Sequence, residues 1–186
     1  MKKYLLLVFC FFLFGGCAKS PKEMEIGMEL RSKLLQANNC SFEAEITADY
    51  GDRIHIFTMD CKADRNGNIT FTVTKPESIS GIQGTLGGEG GKLTFDNTAL
   101  HFDLLAEEQL TPISAPWIII RTLRSGYITS ACTEDETTRL TIDDSYEEDH
   151  LQLDIWLNSD HIPIHADILF DGCRILSVNV TNFAIL

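Results

Sequence analysis

No run in the 186-residue sequence is apolar over the roughly 20 residues that a transmembrane helix needs; the longest, residues 4–14, stops well short and Lys19 and Lys22 follow soon after. Positive charge is scarce: 15 Lys and Arg stand against 27 Asp and Glu, for a formal net charge of -12. No basic patch exists to neutralise phosphates, which excludes nucleic acid as a partner. The cysteines form no C-x-x-C pair and no histidine lies close to two of them, so the spacing of a zinc site is absent. No serine sits in Gly-x-Ser-x-Gly, and Gly91-Lys92 is followed by Leu93 where a phosphate-binding loop needs Ser or Thr. These absences leave no enzyme signature and call for no cofactor or metal.

What is present begins with a leader. Lys2 and Lys3 precede the apolar run, which ends in Gly15-Gly16-Cys17, the order of charged region, hydrophobic region and small-residue cleavage site in an exported protein. Small residues before a cysteine resemble the lipobox of bacterial lipoproteins, in which the thiol is acylated before cleavage. Residues 1–16 are then a signal peptide, 17–20 the lipidated Cys17 with a short tether, and 21–186 one domain. The alternative is an ordinary secreted protein with a chance cysteine at 17. Each buried CH₂ contributes about 0.8 kcal/mol, so two or three acyl chains at Cys17 give stable anchoring to a bilayer. The expected location is the extracytoplasmic face of the membrane, in the outer leaflet of a Gram-positive cell or on the periplasmic side in a Gram-negative one. Loss of Lys2 and Lys3 takes the net charge from -12 to -14, so the anchor and not surface charge must hold the domain to anionic lipid. About 170 residues remain, enough for one domain with a real core.

Ser20-Pro21-Lys22-Glu23 reads as a capping box that opens a helix. Met24, Met28, Leu30, Leu34 and Leu35, with Gly27, supply its apolar face and Asn38-Asn39 the stop. From Cys40 the period becomes two: Phe42, Ala44, Ile46 and Ala48, then Phe57, Met59, Cys61 and Ala63. A two-residue turn at Tyr50-Gly51 pairs Phe42 with Met59, Ala44 with Phe57 and Cys40 with Cys61. Arg65-Asn66-Gly67 turns the chain into Ile69, Phe71 and Val73, and Pro76 ends that strand. Further strands are expected around 82–86, at Leu93 and Phe95, and at Leu100, Phe102 and Leu104. Ser114-Ala115-Pro116 opens a second helix through Trp117, Ile120 and Leu123 that stops at Gly126. Strands follow at 127–131, 139–142, 151–157, 162–170 and 174–180, with Asp171-Gly172 as a hairpin turn. The fold class is α+β, mainly β: about ten antiparallel strands in meander order, with an N-terminal and a central helix. A single sheet of that size must curl, and a helix in the hollow covers its apolar face.

Four mature thiols accompany the anchor in an export setting that permits disulfides. The hairpin register favours Cys40 with Cys61 and leaves Cys132 with Cys173, against the alternatives of free buried thiols and a metal site. His161 and His165 lie four apart near Asp160 and Asp167, but in a strand that spacing is about 13 Å, so they read as surface histidines. The acidic run at 143–149 lacks the ordered spacing of a calcium loop and reads as a solvated hairpin tip. Residues 117–120 are apolar nearly all round the central helix, which implies burial on more than one side or contact with a ligand or partner.

The order of these segments resembles the LolA/LolB-like lipoprotein-carrier superfamily, and especially the lipoproteins of clostridia-like bacteria, germination (GerS-like) lipoproteins included. The resemblance is carried by Ile69-Thr-Phe-Thr-Val-Thr-Lys-Pro76, Gly81-Ile82, Lys92-Leu-Thr-Phe-Asp96, Thr111-Pro-Ile-Ser114 and the closing Asp171-Gly172 hairpin ending near Phe183. It implies an incomplete, strongly curved barrel whose concave surface is covered by helices. In the carriers that hollow receives acyl chains, whereas the germination lipoproteins are partners of a peptidoglycan amidase. Two functions follow as expectations. One is a non-enzymatic tethered domain that binds an acyl chain or other apolar ligand, lined by Phe42, Phe57, Met59, Phe71, Phe95, Trp117 and Ile120. The other is a protein-interaction module that scaffolds or activates a cell-wall enzyme.

Overall fold

The computed structural model describes residues 22–49, 51, 53–88, 90–95, 98–102, 105–106, 109–147 and 150–186. Residues 1–21, with the signal peptide, Cys17 and the capping Ser20, lie outside the described residues. Helix α1 (Lys22–Gln36) leads into β1 (Asn39–Asp49), β2 (Ile54–Asp64), β3 (Ile69–Lys75), β4 (Gln83–Gly87), β5 (Gly90–Phe95) and β6 (Thr98–Phe102). A two-stranded ribbon, β7 (Leu105–Ala106) with β8 (Gln109–Leu110), precedes helix α2 (Ala115–Ser125). The chain ends with β9 (Tyr127–Glu134), β10 (Thr137–Asp143), β11 (Leu151–Leu157), β12 (Pro163–Phe170) and β13 (Cys173–Ile185). Among the described residues no helix is long and apolar enough to cross a membrane.

Eleven strands form one antiparallel sheet in the order β6-β5-β4-β3-β2-β1-β13-β12-β11-β10-β9. The two halves are each a meander, and they meet where β1 pairs with β13: Ala44 opposes Val180 and Ile46 opposes Val178. The expected antiparallel, mainly β architecture with two helices is therefore the observed one. The sheet has eleven strands where about ten were expected, each at a segment the sequence marks, and the short β7–β8 ribbon is additional.

Alternation along each strand aims one residue in two at the same side. Ala44, Met59 and Val73 face one another across β1 to β3, and Val178, Ala166, Ile155 and Leu140 do so across β13 to β10. All seven are buried, and the opposite, convex face carries Glu45, Asp154, His165, Asp167 and Asn179. Helix α2 lies in the hollow and is buried from Ala115 to Ile120, as well as at Thr122 and Leu123, which accounts for its lack of a polar face. Gly126 stops it, donating its N–H to Thr122 O at 2.8 Å.

Two sequence expectations are corrected. The β1–β2 loop spans residues 50–53, because the last pair is Asp49 with Ile54. With four residues rather than two in the loop, Phe42 opposes Cys61, Ala44 opposes Met59, Ile46 opposes Phe57 and Cys40 opposes Ala63. In α1 the buried residues are Ile26, Gly27, Leu30 and Leu34, whereas Met28 is 51% and Leu35 49% exposed. At 100° per residue Met28 points about 200° away from Ile26, so both cannot reach one core.

Candidate functional site

The concave face is where the fold gathers the lining candidates. Phe42, Met59, Phe71, Trp117 and Ile120 belong to one core cluster, and none is more than 8% exposed. Phe57 is half-buried against it, and Phe95 is placed in β5 by its backbone, its side chain lying outside the description. Each strand residue is aimed inward by parity, and Trp117 and Ile120 descend onto them from α2. The hollow is occupied by the protein's own side chains.

Two arginines hold the helices over it. Arg31 of α1 donates from Nε to Leu123 O at 2.7 Å. Arg124 of α2 donates from Nη1 to Leu34 O at 2.9 Å and from Nη2 to Arg65 O at 2.7 Å. Each guanidinium thus satisfies a carbonyl near the C-terminus of the other helix, where backbone acceptors lack intrahelical partners. Burial lowers the Arg31 pKa from its ordinary value, and its Nη2 is buried without a hydrogen bond.

Accessible space remains beside β2, β3 and β4, in depressions of about 690 Å³ against Ile69 and Leu86 and about 490 Å³ against Phe71 and Gly84. A third space is a groove of about 250 Å³ between α1, the β11–β12 turn and the end of β13. Ile26, Leu30, Pro163, Phe183 and Ile185 form its apolar floor, and Glu29, Lys33, Asp160 and His161 its edge. The groove is below the roughly 300–1,000 Å³ usual for small-molecule sites. Its turn is rigidly built: Asn158 Oδ1 accepts from the N–H groups of Asp160 and Ile162 at 3.0 Å, and His161 takes φ 60.

On the convex face the register assembles a polar chain that sequence reasoning missed. His165 lies opposite Asn179, and Asp167 opposite Ser177. His165 Nδ1 donates to Asn179 Oδ1 at 2.8 Å, Nε2 is 3.1 Å from Asp167 Oδ1, and Asn179 Nδ2 donates to Glu45 Oε1 at 3.1 Å. Hydrogen bonding to Asp167 raises the His165 pKa despite partial burial. Burial pushes Asp167 up, but hydrogen bonds from His165 and Ser177 outweigh it and hold the carboxyl below the usual carboxylate range. A serine, a histidine and an aspartate are in contact, yet Ser177 and Asp167 both face Nε2. A nucleophilic triad needs them on opposite ring nitrogens, so this arrangement does not activate Ser177. The only sequence signal was the period-two spacing of 165 with 167 and of 177 with 179.

The remaining candidates are dispersed. His161 sits at the groove and His165 on the convex face, and among the described residues no group of three or more His, Cys, Asp or Glu could hold a metal ion. Within the acidic run, Asp144 Oδ1 accepts the Leu151 N–H at 2.8 Å and closes the hairpin. The four thiols are free. Cys40 and Cys61 are diagonal neighbours, about 7–8 Å apart at Cα, beyond the usual span of a disulfide. Cys132 and Cys173 lie on strands four positions apart in the sheet, about 19 Å at the usual spacing. Burial raises the Cys40 thiol to about 11 and pushes Cys61 up as well, which makes both poor nucleophiles.

No protein-family model and no curated protein matches the sequence. Among solved structures, the chain is similar to a LolA superfamily protein of Nitrosomonas europaea, with a TM-score of 0.50 and 10% identity over 90% of this chain and 94% of that one. It is also similar to the lipoprotein LppX of Mycobacterium tuberculosis, with a TM-score of 0.43 and 14% identity over 87% and 91% of the two chains. A third is found in the complex of the CwlD amidase with the GerS lipoprotein of Clostridioides difficile, with a TM-score of 0.42 and 13% identity over 90% and 98%.

Proposed function

On a LolA-like fold, we propose that this protein is a non-enzymatic envelope lipoprotein, anchored through Cys17 after removal of residues 1–16, that works as a protein-interaction module. The observation that carries the choice is the closed concavity. A carrier of acyl chains needs an emptied hollow, and here Met59 of β2 is fully buried and Ile120, on the inner side of α2, is 1% exposed. Filling a cavity with native side chains leaves no dry volume for a ligand, so binding falls to the outer surfaces. The anchor supports the same reading, because a tethered domain does not shuttle between membranes but meets partners at one bilayer.

Two measurements test it. Intact mass of the membrane-purified protein is expected to equal residues 17–186 plus acyl groups; a mass with residues 1–16 retained, or with Cys17 unacylated, would contradict the anchor. Titration of residues 18–186, exported behind an ordinary cleavable leader without a lipobox, with a fluorescent palmitate analogue is expected to give no saturable one-to-one binding. Saturation at one equivalent would overturn the closed-hollow reading and restore the acyl-binding one.

A further inference from the structure

We propose that the outer edge of β9 is a docking strand for an extended segment of a partner polypeptide, which joins the sheet as its twelfth strand. The proposal deepens the interaction-module reading and rests on it. β9 ends the eleven-stranded sheet, and among the described residues no strand pairs with its outer side. Its ladder runs to β10 alone, so every second residue turns its N–H and C=O away from the sheet, where they can template another chain.

Natural edges are commonly blunted by lysine, proline, inward charge, very short length, a β-bulge or a covering helix or loop. Helix α1 packs on β9 at Gly27 against Ile128 and at Glu23 against Thr133, contacts made by side chains that leave the outward backbone groups of Ser130 to Glu134 without a strand partner among the described residues. Residues 127–133, Tyr-Ile-Thr-Ser-Ala-Cys-Thr, contain no lysine, no proline and no charge. The irregularity is a bulge at Thr129, since Ile128 opposes Ile142 and Ser130 opposes Thr141. At the start of the strand the Tyr146 ring meets that of Tyr127 at a tilt, with centroids 3.6 Å apart. What remains is a regular run from Ser130 to Glu134, in which Ser130 and Thr133 are exposed. Strand addition suits such a surface, with backbone bonds giving affinity and alternate side chains selectivity.

The occupant is a heterologous, neutral or basic segment and not a second copy. Pairing two copies edge to edge sets side by side two chains whose net charge, -12 before loss of Lys2 and Lys3, is -14 after processing, which their mutual repulsion opposes. Position narrows the source. Glu23, in the first turn of α1, accepts a hydrogen bond from Thr133 Oγ1 at 3.0 Å, and Cys17 lies five residues before Lys22. That length of extended chain spans about 18 Å at most, so the edge stands near the bilayer and meets the membrane-proximal part of another envelope protein.

The test pans phage-displayed random peptides on the full-length protein purified from membranes in detergent, then follows one enriched synthetic peptide. The expected result is slower hydrogen exchange at alternate amides of residues 129–134 and nowhere else. N-methylation of the peptide on one parity of its amides is expected to weaken binding about tenfold or more, and on the other parity to leave it unchanged. Ser130→Pro or Ala131→Pro, whichever removes an outward N–H, is expected to weaken binding equally at an unchanged melting temperature. Failure to enrich any peptide, protection elsewhere, or indifference to N-methylation overturns the proposal. So do β9 amides already slow in the free protein, with sedimentation velocity then separating a second copy from a segment of the same chain. A lipid found in the concavity would instead refute the function proposed above while leaving these exchange readings intact.

Discussion

His165 is hydrogen-bonded on both ring nitrogens, and Asn179 Oδ1 and Asp167 Oδ1 both favour its charged form. Its raised pKa contributes stability that is fully present below the unfolded value near 6.5 and is lost as pH rises through the higher folded value. Asp167, held low, contributes in the opposite sense, with stability present above about pH 4 and lost on further acidification. Urea midpoints are thus expected to fall between about pH 6 and pH 8, and His165→Gln to flatten that slope; equal slopes would contradict the assigned pairing. The thiols give a second check at this scale. Alkylation of the denatured, unreduced protein is expected to modify Cys40, Cys61, Cys132 and Cys173 alike, and two protected thiols would contradict the diagonal placement of Cys40 and Cys61.

Helices α1 and α2 depend on each other more than on the intrinsic stability of either. Arg124→Ala strips the donors from Leu34 O and Arg65 O and is expected to cost about 2–3 kcal/mol in urea unfolding. Arg124→Lys should recover less than half, because one ammonium cannot span two carbonyls as a guanidinium fork does; an unchanged midpoint in Arg124→Ala would dismiss the clasp. At this scale much was legible in the sequence. The switch to period two at Cys40, the left-handed turn at Gly67 (φ 85) and the stop of α2 at Gly126 follow from local chemistry. The face of α1 was not, because Met28 and Leu35 are as apolar as Leu30 and Leu34 and only the tertiary contact tells them apart.

The closure of the whole sheet lies beyond local pattern. β1 meets β13 between residues 128 to 145 positions apart in the chain, and no periodicity announces which two strands of a meander will close on each other. The convex chain from Glu45 to Asp167 depends on that same register, and the two-residue slip expected at Tyr50-Gly51 would have misplaced every cross-strand pair of the first hairpin. The inward parity of Phe42, Met59 and Phe71 survived the slip, since a shift of two keeps each side chain on its face. The face that Phe42, Met59 and Phe71 occupy was thus legible in advance, but the depth at which α2 seats Trp117 and Ile120 against the sheet was not. The filling of the hollow is tested most directly by native mass spectrometry of the membrane-purified, full-length protein released gently from detergent. A hollow closed by its own side chains yields one species, the processed and acylated chain alone. A second species, heavier by one non-covalent lipid at one-to-one stoichiometry, would show that the concavity opens and holds it.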